Sequence, residues 1–529
     1  APAPGGAARR LTQVKGQLDH LLWSADGRAV AFLFVENSTQ ETGALVAYKP
    51  DSGVVAERVE ERRIAVADVA TGRVRIVSPA DLYVYDYDWS ADGSAFAAEA
   101  ATGSGTNNYW ISELYRIDAR SGETRSIWKP ALQIACPRFS PDGRSIAVIH
   151  GIMSDEGSTG GDVWLVPAGG GDARNLTPGM ALSARALFFR SGDEILFTGH
   201  LEGGEGVATV NPRDGKIASQ WAGAEGIDHF APAREGEDSV VILSSFERAP
   251  EACAGELGEW KPLSSLNAGA RRLWGPAKSL RWDSDGRSVQ GWLLYPLDFD
   301  PAKRYPMITL VHGGPSGAQS VSWPSRWNAI LPSQGYFVFL PNPRGSYGFG
   351  EAFVRGNVKD FGGGDLRDIL SGVDAALKAA PIDPNRLGIG GWSYGGYMAM
   401  WAVTQTDRFR AAVASAGIAN WQSYYGQNRI DTWMLPFFGA SVYDDPKVYA
   451  KSSPIEFIRN VKTPTLVLHG DRDSEVPTPQ GYEFWHALKS LGVPTQLVIY
   501  PGEGHGIRRA DHRLDIQERT VSWFDEYLK

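Results

Sequence analysis

The sequence predicts two domains of different class: an all-β propeller over residues 1–275, followed by a doubly wound, mostly parallel α/β sheet over residues 276–529. Three observations predict this. A strand–turn–strand unit recurs in the first half at roughly 40 to 50 residues, the period of a propeller blade. In the second half, continuous apolar strands of the buried, parallel type alternate with helical stretches. One of those strands runs through Gly391-Trp-Ser-Tyr-Gly395 directly into the helix-forming run Tyr397–Val403, the strand, turn and helix order of a nucleophile elbow.

The repeats come first along the chain. Trp23-Ser-Ala-Asp-Gly-Arg28, Trp89-Ser-Ala-Asp-Gly93 and Phe139-Ser-Pro-Asp-Gly-Arg144 each lead into a short apolar strand, and Phe189-Arg-Ser-Gly192 is a degraded copy. Asp-Gly tolerates positive φ and marks a hairpin turn, so these aspartates are read as geometric. The second part of each cycle repeats too, at Ile64–Arg73, Leu114–Glu123, Val163–Gly169 and Ala208–Lys216. Five cycles are expected, the fifth a weak one over Phe230 to Leu266, and residues 36–60 read as an insertion in the first. A β-sandwich with several Asp-Gly hairpins is the competing architecture.

From Arg281 the pattern changes. Ser284-Asp-Gly-Arg287 opens one more hairpin. The expected sheet strands follow at Tyr305–His312, Gly335–Leu340, Leu387–Gly391, Ala411–Ser415, Thr465–His469 and Thr495–Tyr500, with helices over Asp365–Ala380 and Gln480–Leu491 between them. In such a sheet, ligands sit at the carboxyl ends of the strands.

Composition narrows the partners. A net charge of −9 argues against nucleic acid or an anionic membrane surface. No stretch reaches the roughly 20 apolar residues of a membrane span. Cys136 and Cys253, 117 positions apart without a Cys/His cluster, are expected as two buried thiols, with one disulfide as the alternative, and suggest no metal site. Ala1–Ala7 has neither an initiator Met nor an apolar core, which reads as a processed end. The compartment expected is cytoplasmic, or exported if a signal segment once preceded Ala1, and a homo-oligomer is compatible with either.

Ser393 needs a base, and that base needs an acid. In this sheet the chain order is Ser, acid, His. Only His505 and His512 follow the last strand. His505 stands in the loop Pro501-Gly-Glu-Gly-His-Gly506, whereas His512 lies in a polar helical run and reads as a surface residue. Asp471, Asp473 and Glu475 compete for the acid in the loop after Thr465–His469. Two oxyanion donors are expected, the Tyr394 amide and one from the loop His312-Gly-Gly-Pro-Ser316, in which His312 itself reads as structural.

His-Gly-Gly-Pro, Asn342-Pro-Arg-Gly-Ser-Tyr-Gly348, Gly-Trp-Ser-Tyr-Gly-Gly-Tyr, His-Gly-Asp-Arg-Asp-x-x-Val-Pro and Gly-Glu-Gly-His together resemble the prolyl oligopeptidase family of serine peptidases, over nearly the whole chain. The resemblance implies an α/β-hydrolase catalytic domain behind a propeller, with Asp473 as the acid and the Gly314 and Tyr394 amides as the oxyanion hole. It implies a substrate pocket of Tyr394, Ile418, Trp421, Tyr424 and Val476, an aromatic cluster suited to a proline ring or another compact apolar side chain. It also implies short peptide substrates and no cofactor, with cleavage of the acylaminoacyl- or dipeptidyl-peptidase kind near the N-terminus. Two features depart from the family. Its propellers usually have seven blades, so degenerate blades or a shortened start are expected. Its dipeptidyl peptidases hold the substrate amine with a glutamate pair, but Glu60-Glu61 leads into Arg62-Arg63 and a strand and reads as a solvated edge. An esterase or amidase is the first alternative, since fold does not fix substrate; a non-catalytic propeller binding protein is the second.

Overall fold

Five four-stranded antiparallel sheets occupy residues 16–76, 82–128, 133–175, 183–223 and 226–262 of the computed structural model, each ordered as a simple meander. The structure describes residues 7–38, 43, 45–48, 54, 60–103, 105–233 and 236–529. The repeated turns close as their sequence demands. Gly27, Gly93 and Gly143 take φ of 69°, 71° and 69°. In each turn a serine hydroxyl donates to the aspartate at 2.7 Å, Ser24 to Asp26, Ser90 to Asp92 and Ser140 to Asp142. One oxygen of each carboxylate thus shapes its hairpin. The insertion of the first cycle lies mostly outside the described residues. Its stretch 45–48 reaches the second domain, where the Leu45 carbonyl accepts from the Gly506 amide at 3.1 Å and the Tyr48 amide donates to the Arg472 carbonyl at 2.8 Å.

The second domain is built on eight strands: β1 (Ala277–Ser284), β2 (Arg287–Leu294), β3 (Tyr305–Val311), β4 (Phe337–Asn342), β5 (Ile382–Trp392), β6 (Ala411–Ser415), β7 (Thr465–Gly470) and β8 (Thr495–Tyr500). Their order is 1-2-4-3-5-6-7-8. The β1–β2 and β2–β4 pairs are antiparallel, and all the others are parallel. The chain is an α/β-hydrolase domain preceded by a five-bladed β-propeller. Helices α1 (Trp327–Ser333), α2 (Gly364–Ala379), α3 (Tyr394–Gln405), α4 (Pro479–Ser490) and α5 (Ala510–Leu528) cover the sheet. Alternate residues of a strand face opposite sides. Met307 and Val311 accordingly join a core with α2, α3 and Trp421, whereas Ile308 and Leu310 join one with Leu331, Trp523 and Phe524. Cys136 and Cys253 are both free thiols.

Candidate active site

β5 ends at Trp392 and α3 begins at Tyr394, so Ser393 alone turns the chain. Its backbone sits at φ 60°, ψ −122°, a region that a residue with a side chain rarely adopts and that marks stored strain. The glycines on either side make the turn possible. A Cβ on Gly395 would stand 2.0 Å from the Val311 carbonyl oxygen, and one on Gly391 would stand 2.5 Å from the Gly395 carbonyl carbon.

The three competing acids part clearly. Asp471 is exposed, and its Oδ1 accepts from the Gly502 amide at 2.6 Å. Asp473 is buried: its Oδ1 accepts from the Glu475 and Val476 amides at 3.0 and 2.8 Å, while its Oδ2 meets His505 Nδ1 at 2.7 Å. Glu475 is buried as well, and burial pushes its carboxyl up to about 8. The structure therefore brings Asp473 to His505. Trp392 completes the junction, because its indole N–H donates to the His505 carbonyl at 3.0 Å and ties the histidine loop to the residue before Ser393.

His505 is buried, which would lower its pKa, but the Asp473 carboxylate beside it, with Glu475 and Asp155 further off, raises it above the ordinary 6.5. Asp155 comes from the propeller. A base that must be neutral to accept a proton becomes available only as pH rises through that elevated pKa. We expect kcat/KM to climb into the alkaline range. Glu475→Gln removes one of the charges that hold the proton on, so the midpoint of the pH–rate profile should move to lower pH. A midpoint that stays in place or rises contradicts this electrostatic account.

The loop that carries Gly314 lies over the serine. A Cβ on Gly313 would be 3.3 Å from Ser393 Cβ, and Gly314 itself takes φ 123°. The Tyr394 amide, first in α3, has no acceptor within its own helix. The loop is pinned from both domains. His312 Nε2 shares a 2.8 Å hydrogen bond with Ser346 Oγ, and the Tyr347 amide donates to Gly317 at 2.8 Å. From the propeller, the Ser158 hydroxyl donates to the Ser316 carbonyl at 3.0 Å, while Ser154 Oγ, whose proton goes to Asp155 at 2.8 Å, lies 3.2 Å from the same carbonyl. Burial holds His312 below its ordinary pKa, in keeping with a neutral structural role.

Ile418, Trp421, Tyr424 and Val476 are all buried in the same core as Tyr394. Trp421 and Tyr424 meet edge to face at 5.5 Å, and the Tyr424 hydroxyl accepts from Trp433 Nε1 at 3.2 Å. The Tyr394 hydroxyl donates to Asp365, whose buried carboxyl is pushed up to about 7. Sequence reasoning missed Asp365, Phe361 and Trp433, which pack against this buried cluster, and the propeller residues Ser154, Asp155 and Ser158. Nothing distinguishes those three from ordinary polar loop residues along the chain.

Two expectations need correction. His512 is half-buried, with Nδ1 2.8 Å from Glu503 Oε1 and its ring against Tyr500, because the last helix folds back on the histidine loop. Glu60 and Glu61 are half-buried too, not solvated: Glu60 accepts from Ser38 Oγ at 2.9 Å, and burial, then Asp81, raises the Glu61 carboxyl to about 7.

Residues 323–529 match the prolyl oligopeptidase family model. The match takes in most of the second domain and leaves the propeller outside it. An uncharacterized peptidase, YuxL, of Bacillus subtilis is 35% identical over 316 residues, 58% of this chain and 48% of its own length. Dipeptidyl-peptidase 5 of Porphyromonas gingivalis is 29% identical over 465 residues, 84% of this chain and 67% of its own. The chain thus spans about half the length of the first of these relatives. An acylaminoacyl peptidase of Pyrococcus horikoshii shares the fold with a TM-score of 0.80 at 22% identity, covering 100% of this chain and 84% of the other. Within the prolyl oligopeptidase fold, the Asp473–His505 pair and the Ser393 turn stand at the carboxyl ends of β7, β8 and β5, where a parallel sheet gathers its ligands.

Proposed function

We propose that the chain is a serine peptidase that cleaves short peptides near their N-termini through an acyl-enzyme. The observation that carries this is the buried Asp473–His505 pair joined through Trp392 to the strained Ser393 turn. Ser393 attacks the scissile carbonyl, and His505 takes its proton and returns it to the leaving amine. Asp473 fixes the imidazole with Nε2 as the free base, and the Gly314 and Tyr394 amides receive the oxyanion. Ile418, Trp421, Tyr424 and Val476 take a compact apolar side chain on the acyl side. The domain boundary near residue 275 would make the propeller an access filter that admits short peptides.

Free-amine substrates are favoured within this reading. Asp155 is a half-buried carboxyl whose pKa burial raises, its side chain accepts from the Ser154 hydroxyl at 2.8 Å, and no lysine or arginine pairs with it among the described residues. A substrate ammonium beside it would restore its ionisation. The dipeptidyl-peptidase relatives point the same way.

The test compares free-amine dipeptidyl anilides, N-blocked aminoacyl anilides and a p-nitrophenyl ester. Faster turnover of the free-amine anilides is expected. Ester hydrolysis with no anilide cleavage would make the chain an esterase.

A further inference from the structure

A cavity of about 180 Å³ lies against Trp392, the residue before Ser393, and Ile507, two residues beyond His505, on the side away from the Trp421 and Tyr424 cluster. Its walls include Trp327, Trp392, Ile507 and Ile516, with Arg326 and Arg513 also lining it. The two sides are distinguished by packing. Trp327, Trp392, Ile507 and Ile516 belong to the core on one face of the sheet, whereas Tyr394, Ile418, Trp421, Tyr424 and Val476 belong to the core on the other.

Resting on the peptidase reading above, we propose that this cavity is the leaving-group subsite, and that Arg326 and Arg513 recognise the free C-terminal carboxylate of a short departing peptide. The chemistry fixes the side. His505 must hand its proton to the leaving amine, so the departing segment passes along the histidine loop. Trp392, bonded to the His505 carbonyl, and Ile507, two residues beyond it, form that wall. The volume suits one side chain, and the indoles of Trp327 and Trp392, 6.3 Å apart, offer it apolar surface. Both arginines are exposed, and neither is paired with a carboxylate among the described residues. The planar guanidinium suits a carboxylate in two-point contact. Arg326 is moreover held at φ 51°, ψ −128° immediately before α1, a conformation costly for any residue but glycine, which fits a residue placed for function.

The experiment measures kcat/KM for matched tri- and tetrapeptides that differ only in a free-acid or an amidated C-terminus. The free acid should be cleaved about three- to tenfold faster, as expected for exposed charge pairs, and the ratio should shrink as NaCl is raised. In Arg326→Gln/Arg513→Gln the ratio should fall to about one. Arg513→Gln alone, on the exposed face of α5, should lower it part-way without disturbing the strained turn. A wild-type ratio of one, or a ratio that survives the double substitution, overturns the subsite while leaving the peptidase reading in place. Failure to cleave either peptide or any anilide overturns both.

Discussion

Replacing Ser393 with alanine should lower kcat/KM by about 10⁵- to 10⁶-fold, with the thermal midpoint within about 2 °C of the parent. The half-buried Ser393 side chain has no hydrogen-bond partner to forfeit among the described residues, and alanine faces the same φ of 60° that serine already tolerates. Stability therefore barely changes. Activity collapses because the nucleophile is gone, while the proposed oxyanion donors and acyl pocket would leave a residual of about 10³ over water. Steady-state turnover of the best dipeptidyl anilide checks this. A loss of less than about tenfold would mean that another group forms the bond to the acyl carbon.

Asp473→Asn should cost about 10⁴-fold in kcat, with KM much less affected. The reason lies in who holds each oxygen. Oδ1 already accepts from two backbone amides, Glu475 and Val476, so an asparagine must keep its carbonyl oxygen there and turn its NH₂ toward His505 Nδ1. Two donors then face each other unless the imidazole moves its proton to Nε2, the atom that must be bare to receive the serine proton. Asp471→Asn, one turn of loop away, alters only an exposed bond to the Gly502 amide and should stay within about threefold. Equal losses at the two positions would remove the ground for assigning the acid.

The fold was legible because its signals are local. Ser-x-Asp-Gly turns announce hairpins, and a continuous run such as Tyr305–Val311 announces a strand buried on both faces. The elbow was legible for the same reason: strain at Ser393 demands small neighbours in adjacent positions. The acid was not readable from its loop, since Asp471, Asp473 and Glu475 differ only in which one the surrounding backbone amides turn inward. Contacts between the domains left no trace. Ser158 bonds to Ser316 across a separation of 158 residues, and a hydroxyl that buttresses a distant carbonyl looks in sequence like any loop serine. His512 was misread because a polar helical run reads as solvated, whereas Glu503 draws it inward.

Reaction of the folded chain with a fluorophosphonate, followed by mass mapping of the peptide that contains residue 393, tests the shared nucleophile claim most directly. One adduct per chain on Ser393, formed far more slowly in Asp473→Asn, is the predicted result. No adduct, or one on a different residue with Ser393 untouched, would contradict the account.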